Sequence, residues 1–249
     1  MLAPLIAGLV PPDQPADVLI LGFATPDVWP ERATATFLSH RCPGRPLAFA
    51  LCDQGCAAGF TALRLARDYV AGGRRVLVAL AEQTRLDYVL PAPAARPSQH
   101  AAFAMLCDAD AEAGPAPHAG EPADDGIRRQ DAAAGEPGDN GAQLLNAVRV
   151  LPGVAADDVP AALRQALAAL PAAERGDEKR PLVLGEGLAA LGDGDVPGWR
   201  PAPLPPGQPL TGVWRELAAW AATPGGGRLA VADYDPGLRY LCLAAFAGA

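Results

Sequence analysis

The stretch that decides the fold spans residues 47–84 and contains, at residues 52–66, Cys-Asp-Gln-Gly-Cys-Ala-Ala-Gly-Phe-Thr-Ala-Leu-Arg-Leu-Ala. The apolar run Leu47–Leu51 predicts a buried strand, and Gly55 permits a sharp turn before Cys56. Apolar residues at helical spacing then predict a helix from Cys56 to about Ala71, ended by two glycines. A second apolar run, residues 75–81, predicts the next strand. This order of strand, elbow, helix and strand is typical of an α/β protein.

Cys56 is the candidate nucleophile of this segment. It opens the predicted helix, where unpaired backbone N–H groups and the positive end of the helix dipole favour a thiolate. The small residues Ala57, Ala58 and Gly59 allow other segments to approach closely. Such a cysteine could form a thioester with an acyl group. The alternative is a cysteine that only packs at a helix start, because free cysteines are commonly buried.

The segment resembles the nucleophile region of the thiolase superfamily, in the branch of the β-ketoacyl-ACP synthases III and chalcone synthases (type III polyketide synthases). Chalcone-synthase-like enzymes carry the pattern Q-G-C-x-A-G-G-T-x-L-R-L-A. Phe60 replaces one glycine, and the matching residues are Gln54, Gly55, Cys56, Ala58, Gly59, Thr61, Leu63, Arg64, Leu65 and Ala66. A second register, keyed on Cys-Ala-Gly-Phe of the synthases III, would place Ala57 at the nucleophile position.

Two flanking segments support the same resemblance in the expected order. Residues 18–27 resemble the strand and Thr-Pro-Asp turn of synthase III proteins, and residues 75–82, ending in Glu82, resemble the family's Arg-Val-Leu-Val strand. The resemblance implies a thiolase-like α/β fold of two halves with largely parallel or mixed sheets, truncated at the N-terminus. It also implies a dimer with the elbow near the subunit interface.

The second part of the chain repeats the α/β pattern in reduced form. We expect an N-terminal half at residues 1–110, a Gly/Pro-rich acidic loop at 111–141 and a reduced C-terminal half at 142–249. A further Gly/Pro-rich stretch at 192–209 also suggests a loop. The expected second-half elements are strands at 143–151, 181–184, 228–232 and 238–246, the last two turning at 233–237, and helices at 159–170 and 210–222.

The second half lacks the histidine and asparagine with which active members of the family complete their site. The family's histidine loop corresponds to Gly185-Glu186-Gly187 and its asparagine to a position near residues 209–212. Glu186 could replace the histidine only in part, since an ionised carboxylate cannot donate to an oxyanion. We interpret His40 as a surface residue at a helix end, and His100 and His118 as solvated loop residues. The asparagines are Asn140 and Asn146, and neither suits the family's role.

Composition excludes several functions. The net charge of −8 and a pI near 4.8 argue against nucleic acid as a partner. No apolar run reaches the roughly 18 residues that span a bilayer, and the first residues lack a secretion signal, so we expect a cytoplasmic protein without membrane contact. The five cysteines do not have the spacing of metal ligands. We interpret the acidic residues of the 111–141 loop as solvent-exposed and not as metal ligands; they are Asp124, Asp125, Asp131 and Asp139. We therefore expect no metal and no cofactor.

These observations predict a synthase III-like protein of acyl or polyketide biosynthesis that does not condense. It would be the companion subunit of a catalytic ketosynthase, or pair with itself, with acyl carrier protein or acyl-CoA as further possible partners. The alternative is an active acyltransferase or condensing enzyme that uses Cys56 as its thioester nucleophile. A decayed gene product without a function of its own is the third hypothesis.

Overall fold

The N-terminal half is a mixed sheet with helices on both faces. The computed structural model describes residues 2–25, 33–84, 96–109, 125–129, 142–144, 147–170, 179–191, 196–223 and 227–248. The first elements are α1 (Leu2–Leu9), β1 (Val18–Phe23), α2 (Thr34–Arg41), β2 (Leu47–Leu51), α3 (Ala57–Ala71), β3 (Val76–Glu82) and β4 (Ala101–Ala109). The strands lie in the order β2-β1-β3-β4, with β1 parallel to both neighbours and β4 antiparallel to β3.

The second half continues the same mixed sheet, in the order β11-β10-β8-β9. Its elements are β5 (Asp125–Arg129), β6 (Ala142–Leu144), β7 (Arg149–Leu151), α4 (Val159–Ala168), β8 (Arg180–Leu184), β9 (Trp199–Pro203), α5 (Gly212–Ala221), β10 (Arg228–Asp235) and β11 (Tyr240–Gly248), with 3₁₀ turns at Ala156–Asp158 and Glu186–Leu191. Strand β8 pairs in parallel with β10 on one side and with β9 on the other. Strand β11 pairs antiparallel with β10. The short strands β5 and β6 connect β4 to β11.

Helix α3 lies in the core that joins the two halves. Alternate residues of β1 face opposite sides: Ile20 packs in the cluster with α3, whereas Leu19 packs in the cluster with α1 and α2. The α3 cluster also holds Trp214 of α5 and Val231 of β10, all fully buried. The elbow at the start of α3 is therefore surrounded by both halves of the chain.

The fold class is confirmed: the chain is α/β with mixed sheets in two halves. The expected elements of the first half are also found, to within a few residues at their ends. Of the predicted 111–141 loop, the structure describes only β5, and the proposed boundaries at 110 and 142 stay predictions. Within the described residues, no helix is long and apolar enough to cross a bilayer.

Three details of the second half were predicted wrongly. The single strand expected at residues 143–151 is two strands, β6 and β7, which pair with different parts of β11. Part of the stretch at 192–209 forms strand β9, whose prolines are tolerated because β9 is the edge of the sheet. The hairpin turn begins after Asp235, so Asp233 and Asp235 belong to strand β10.

Candidate functional site

The structure places Cys56 at the tight turn between β2 and α3. Asp53 and Gly55 have positive φ angles of 59° and 50°, and this reverses the chain before the helix. A Cβ atom on Gly55 would also overlap the carboxylate of Asp235, which belongs to β10 in the other half. Glycine is thus required at position 55 both by its backbone and by its neighbour. Cys56 itself is only 8% exposed, and Ala57, the alternative register position, is fully buried.

The hairpin β10–β11 covers the cysteine. In its register Asp233 lies opposite Cys242, and directly opposed residues of an antiparallel pair share one face of the sheet. This face, which also carries Val231 and Ala244, packs in the cluster with α3. Cys242 belongs to the same cluster, and its thiol is the largest influence on the pKa of Cys56. The second half therefore places three side chains near Cys56: Asp233 and Asp235 of β10 and Cys242 of β11.

These neighbours oppose formation of a thiolate. The hydrogen bond with Cys242, burial and the nearby charge of Asp233 and Asp235 together raise the pKa of Cys56 well above its usual value. The helix start does not compensate, because the N–H groups of Ala57 and Ala58 donate to the carbonyl oxygens of Gln54 and Gly55. The side chains around Cys56 therefore act against the thiolate that the helix terminus was expected to favour.

Asp233 is the second unusual group of the site. Its carboxylate is 2% exposed, and Oδ1 accepts hydrogen bonds from the N–H groups of Gly187, at 3.1 Å, and Tyr234, at 2.8 Å. Burial raises the pKa of Asp233 to about 7 despite these two hydrogen bonds, and the charges of Glu186 and Asp235 act in the same direction as burial. A group that changes charge near neutral pH therefore lies beside Cys56.

Asp233 occupies the space into which a side chain at position 185 would point. A Cβ atom on Gly185 would overlap the Asp233 carboxyl group, and one on Gly187 would overlap the carbonyl oxygen of Tyr234. Glu186 points elsewhere, and its Oε2 accepts a hydrogen bond from the N–H of Gly207 at 2.9 Å. Where the family resemblance places a histidine loop, this chain has glycines that make room for a carboxyl group of β10.

Trp214 closes the next turn of α3. A Cβ atom on Gly59 would lie 2.5 Å from Trp214 Nε1, so the indole packs directly on the helix backbone one turn after Cys56. The Trp214 ring is fully buried, with its centroid 4.9 Å from that of Phe60 and 6.1 Å from that of Phe103. The indole N–H has no hydrogen-bond partner within the part of the chain that the structure describes.

Glu82 fixes the position of α5, and hence of Trp214. Its carboxylate is buried at the end of β3 and accepts hydrogen bonds from the N–H of Leu210, at 2.6 Å, the N–H of Thr211, at 3.0 Å, and the Thr211 hydroxyl. Burial raises the pKa of Glu82, and the hydrogen bonds from Thr211 and Leu210 oppose this. A carboxylate from the first half thus satisfies the start of the second half's central helix.

Each histidine that the structure describes forms a hydrogen bond with a nearby threonine. His40 is exposed at the end of α2 and donates through Nδ1 to the carbonyl oxygen of Thr36 at 2.8 Å. The Nδ1 atom of His100 accepts from the N–H of Thr84 at 3.3 Å. His118, Asn140 and Asn146, as well as Asp124, Asp131 and Asp139, lie outside the described residues. No group of three possible metal ligands is found among the residues that the structure describes.

Cys56 could be identified from the sequence, whereas the site residues Asp233, Asp235 and Cys242 could not. The sequence feature that could have indicated the two aspartates is their place between the apolar segments 229–232 and 240–246. An Asp-Tyr-Asp-Pro-Gly sequence is typical of a turn, and only the pairing of β10 with β11 shows that the strand continues through both aspartates.

The architecture matches condensing enzymes of the thiolase fold. AbyA1, a tetronic acid condensing enzyme, is 19% identical with a TM-score of 0.59, and the match covers 94% of this chain and 76% of that one. The 3-oxoacyl-[acyl-carrier-protein] synthase III from Aquifex aeolicus VF5 is 13% identical with a TM-score of 0.57, over 97% and 79% of the two chains. The ishigamide ketosynthase/chain length factor is 18% identical with a TM-score of 0.50, over 92% and 72%.

No protein-family model matches the sequence, and no curated protein does so either. The identities to the solved structures are low, so the likeness is one of fold. The resemblance to the synthase III and type III polyketide synthase branch is confirmed at that level: this chain has the thiolase fold of those enzymes.

Proposed function

We propose that this chain is a non-condensing companion subunit of a catalytic ketosynthase in cytoplasmic acyl or polyketide biosynthesis. The observation that carries the proposal is the environment of Cys56, which is buried and whose pKa is raised by the Cys242 thiol, by burial and by the charges of Asp233 and Asp235. A condensing enzyme needs a reactive thiolate at this position. This environment disfavours that thiolate, so a structural role of the elbow fits the geometry better than a catalytic one.

The chemistry of condensation supports the same conclusion. Its transition states carry negative charge on a former carbonyl oxygen, which hydrogen-bond donors stabilise. The groups that face Cys56 from β10 are Asp233 and Asp235, and an ionised carboxylate is an acceptor only. In their ionised form these carboxylates would repel an oxyanion. Trp214 also fills the volume beside Gly59, one turn from the thiol.

Strand β2 is the surface that we propose for the partner. It is the terminal strand of the sheet, and its sequence, Leu-Ala-Phe-Ala-Leu, is wholly apolar. Leu47 is 64% exposed, and Phe37 on the adjacent helix α2 is 55% exposed. An apolar edge strand with free backbone groups pairs readily with another chain. The name of the ishigamide ketosynthase/chain length factor joins a ketosynthase to a second component, which makes a ketosynthase the partner that we favour.

Association with a ketosynthase tests this proposal directly. The chain would be co-expressed with a full-length synthase III-type ketosynthase from the same genome and the mixture separated by size-exclusion chromatography with light scattering. We expect a heterodimer, and we expect Leu47→Lys to weaken it at least tenfold, because a charge would be buried in an apolar contact. Leu238→Lys, at a 40% exposed position in the β10–β11 turn, is the matched control. A chain that stays monomeric beside every such ketosynthase would contradict the proposal, whereas a homodimer sensitive to Leu47→Lys would indicate self-pairing.

The competing function, acyl transfer through Cys56, is tested separately. The protein would be incubated with acetyl-CoA, malonyl-CoA and octanoyl-CoA and its intact mass measured. We expect no adduct, because the thiol is buried and protonated at neutral pH. A stoichiometric adduct that is absent from Cys56→Ala would establish Cys56 as an acyl acceptor and refute an inert elbow.

A further inference from the structure

A cavity of about 300 Å³ lies between α1 and α2, on the side of the sheet opposite α3. Its floor includes Phe23 of β1 and Ala81 of β3, which are paired with each other, and Leu21 of β1. Its walls include Leu2 of α1 and Leu38 of α2, which belong with Leu21 to the cluster around those two helices. The sheet therefore separates this cavity from the elbow at the start of α3.

The order of the strands accounts for the cavity. Strand β1 lies between β2 and β3 and is parallel to both. Helix α2 connects β1 to β2 and packs on those two strands, whereas α1 packs on β4, at the other side of β3. The two helices thus leave a crevice over β1 and β3, and Thr25 and Gln83 line it just beyond the carboxyl ends of these strands. Ligands of open α/β sheets usually bind in such a crevice, where connections from one strand run to opposite sides.

The lining of the cavity is mostly apolar and carries no charge. Its polar side chains, Thr25, Thr34 and Gln83, are neutral, and their hydroxyl and amide groups can both donate and accept hydrogen bonds. None of the described residues that line the cavity is acidic or basic. The guanidinium group of Arg41 is placed over the ring of Phe37, 5.2 Å from its centroid, and Arg41 does not line the cavity. A charged group would lose its hydration here without gaining a countercharge, so the lining favours an uncharged occupant.

We propose that this cavity is a binding site for a single aliphatic chain of about eight to ten carbon atoms that ends in an uncharged polar group, such as a primary alcohol. An apolar cavity of about 150 Å³ can stay dry and bind benzene, and this one has about twice that volume. A methylene group takes up about as much liquid volume as a water molecule, ~30 Å³, which sets the length of the chain. The threonines and Gln83 would bind the polar end. This inference does not depend on the proposed function.

Titration with a series of alcohols tests the proposal. The folded protein would be titrated with 1-butanol, 1-hexanol, 1-octanol and 1-decanol in a calorimeter. We expect the affinity to rise about fourfold for each added methylene group, because each one leaves water for an apolar wall. The rise should stop at about eight to ten carbon atoms, where the cavity is full. Octanoate, with a similar chain and a charged end, should bind about tenfold more weakly than 1-octanol, or weaker still.

A substitution in the wall locates the site. Ala3 of α1 lines the cavity and is partly exposed, and Ala3→Leu adds three carbon atoms there. We expect it to weaken binding of 1-octanol by about tenfold or more and to move the preferred alcohol to a shorter chain. Ala7→Leu makes the same change at an exposed position of the same helix that does not line the cavity. This control variant should bind 1-octanol like the wild type.

Three results would overturn the proposal. The first is an absence of binding by 1-octanol, or an affinity that does not change with chain length. The second is an Ala3→Leu variant that folds and binds every alcohol as the wild type does. The third is binding of octanoate as tight as that of 1-octanol, which would contradict an uncharged ligand. The wild-type series decides the question even if Ala3→Leu does not fold.

Discussion

Replacement of Asp233 by asparagine tests how the buried carboxyl group shapes the stability of the site. Asparagine has nearly the same shape, and its side-chain oxygen can still accept the N–H groups of Gly187 and Tyr234. It cannot ionise. The comparison between Asp233 and asparagine therefore isolates the free energy of placing a negative charge in this part of the core, beside Cys56 and near Asp235.

The magnitude follows from the pKa of Asp233, which burial raises from 3.8 to about 7. Because the folded-state pKa is above the unfolded one, the stabilising contribution is complete below about pH 4 and is lost as the pH rises towards 7. One pKa unit corresponds to about 1.4 kcal/mol, so Asp233 should lower the free energy of unfolding by about 2 kcal/mol between about pH 5 and pH 7. Above about pH 8 the loss should level off, since Asp233 is then ionised in both states.

The assay is urea denaturation of the wild type and of Asp233→Asn at intervals from pH 5 to 8. The variant should lack the wild-type decline, so that its stability relative to the wild type improves by about 2 kcal/mol between about pH 5 and pH 7. Asp157→Asn, at an exposed position, is the control and should follow the wild type. If Asp233→Asn declined in parallel with the wild type, Asp233 would not be the group that titrates, and the electrostatic account of the site would fail.

Three further substitutions test the packing around the elbow, each by denaturant unfolding. Gly185→Ala should lower the free energy of unfolding by about 3 kcal/mol through overlap with Asp233, and by much less in an Asp233→Gly background. Gly227→Ala, with no atom of the described residues within reach of the added Cβ, should be neutral. Equal losses for Gly185→Ala in both backgrounds would disprove the overlap. Glu82→Ala should lower the free energy of unfolding by about 3 kcal/mol or more, because it leaves buried N–H donors at the start of α5 unpaired. A loss within about 0.5 kcal/mol would show that water takes the place of the carboxylate. Trp214→Ala should lower the free energy of unfolding by about 3–5 kcal/mol. It should also speed alkylation of Cys56, because it opens space beside Gly59. An unchanged alkylation rate would show that the indole does not shield the thiol.

The first half could be predicted closely because its signals are local. Strands β1 and β3 are continuous apolar runs, and the glycine pair at 72–73 ends α3 as expected. The turn before Cys56 could be predicted from Gly55, because glycine adopts a positive φ angle without steric cost. Each of these conclusions needed only neighbouring residues.

The surroundings of Cys56 depend on contacts between distant residues and could not be predicted in the same way. Asp233 lies in a sequence that is typical of a turn, and it becomes a buried strand residue only because β11 pairs with it and Gly187 donates to it. After β8, where the family resemblance places a histidine, the sequence has glycines. Nothing local in the sequence indicates that those glycines face a carboxyl group from another strand. The missing information was the pairing of β8 with β10.

The glycines of the elbow have a packing role that does not depend on the reactivity of Cys56. A Cβ atom on Gly55 would overlap Asp235, and one on Gly59 would come within 2.5 Å of Trp214. Any larger residue at either position would displace a side chain of the second half, so packing alone is sufficient reason to retain both glycines. The same glycines are part of the pattern that marks the fold in the sequence. The motif is therefore evidence for the way the halves pack, and the reactivity of Cys56 depends on which side chains the second half places against it.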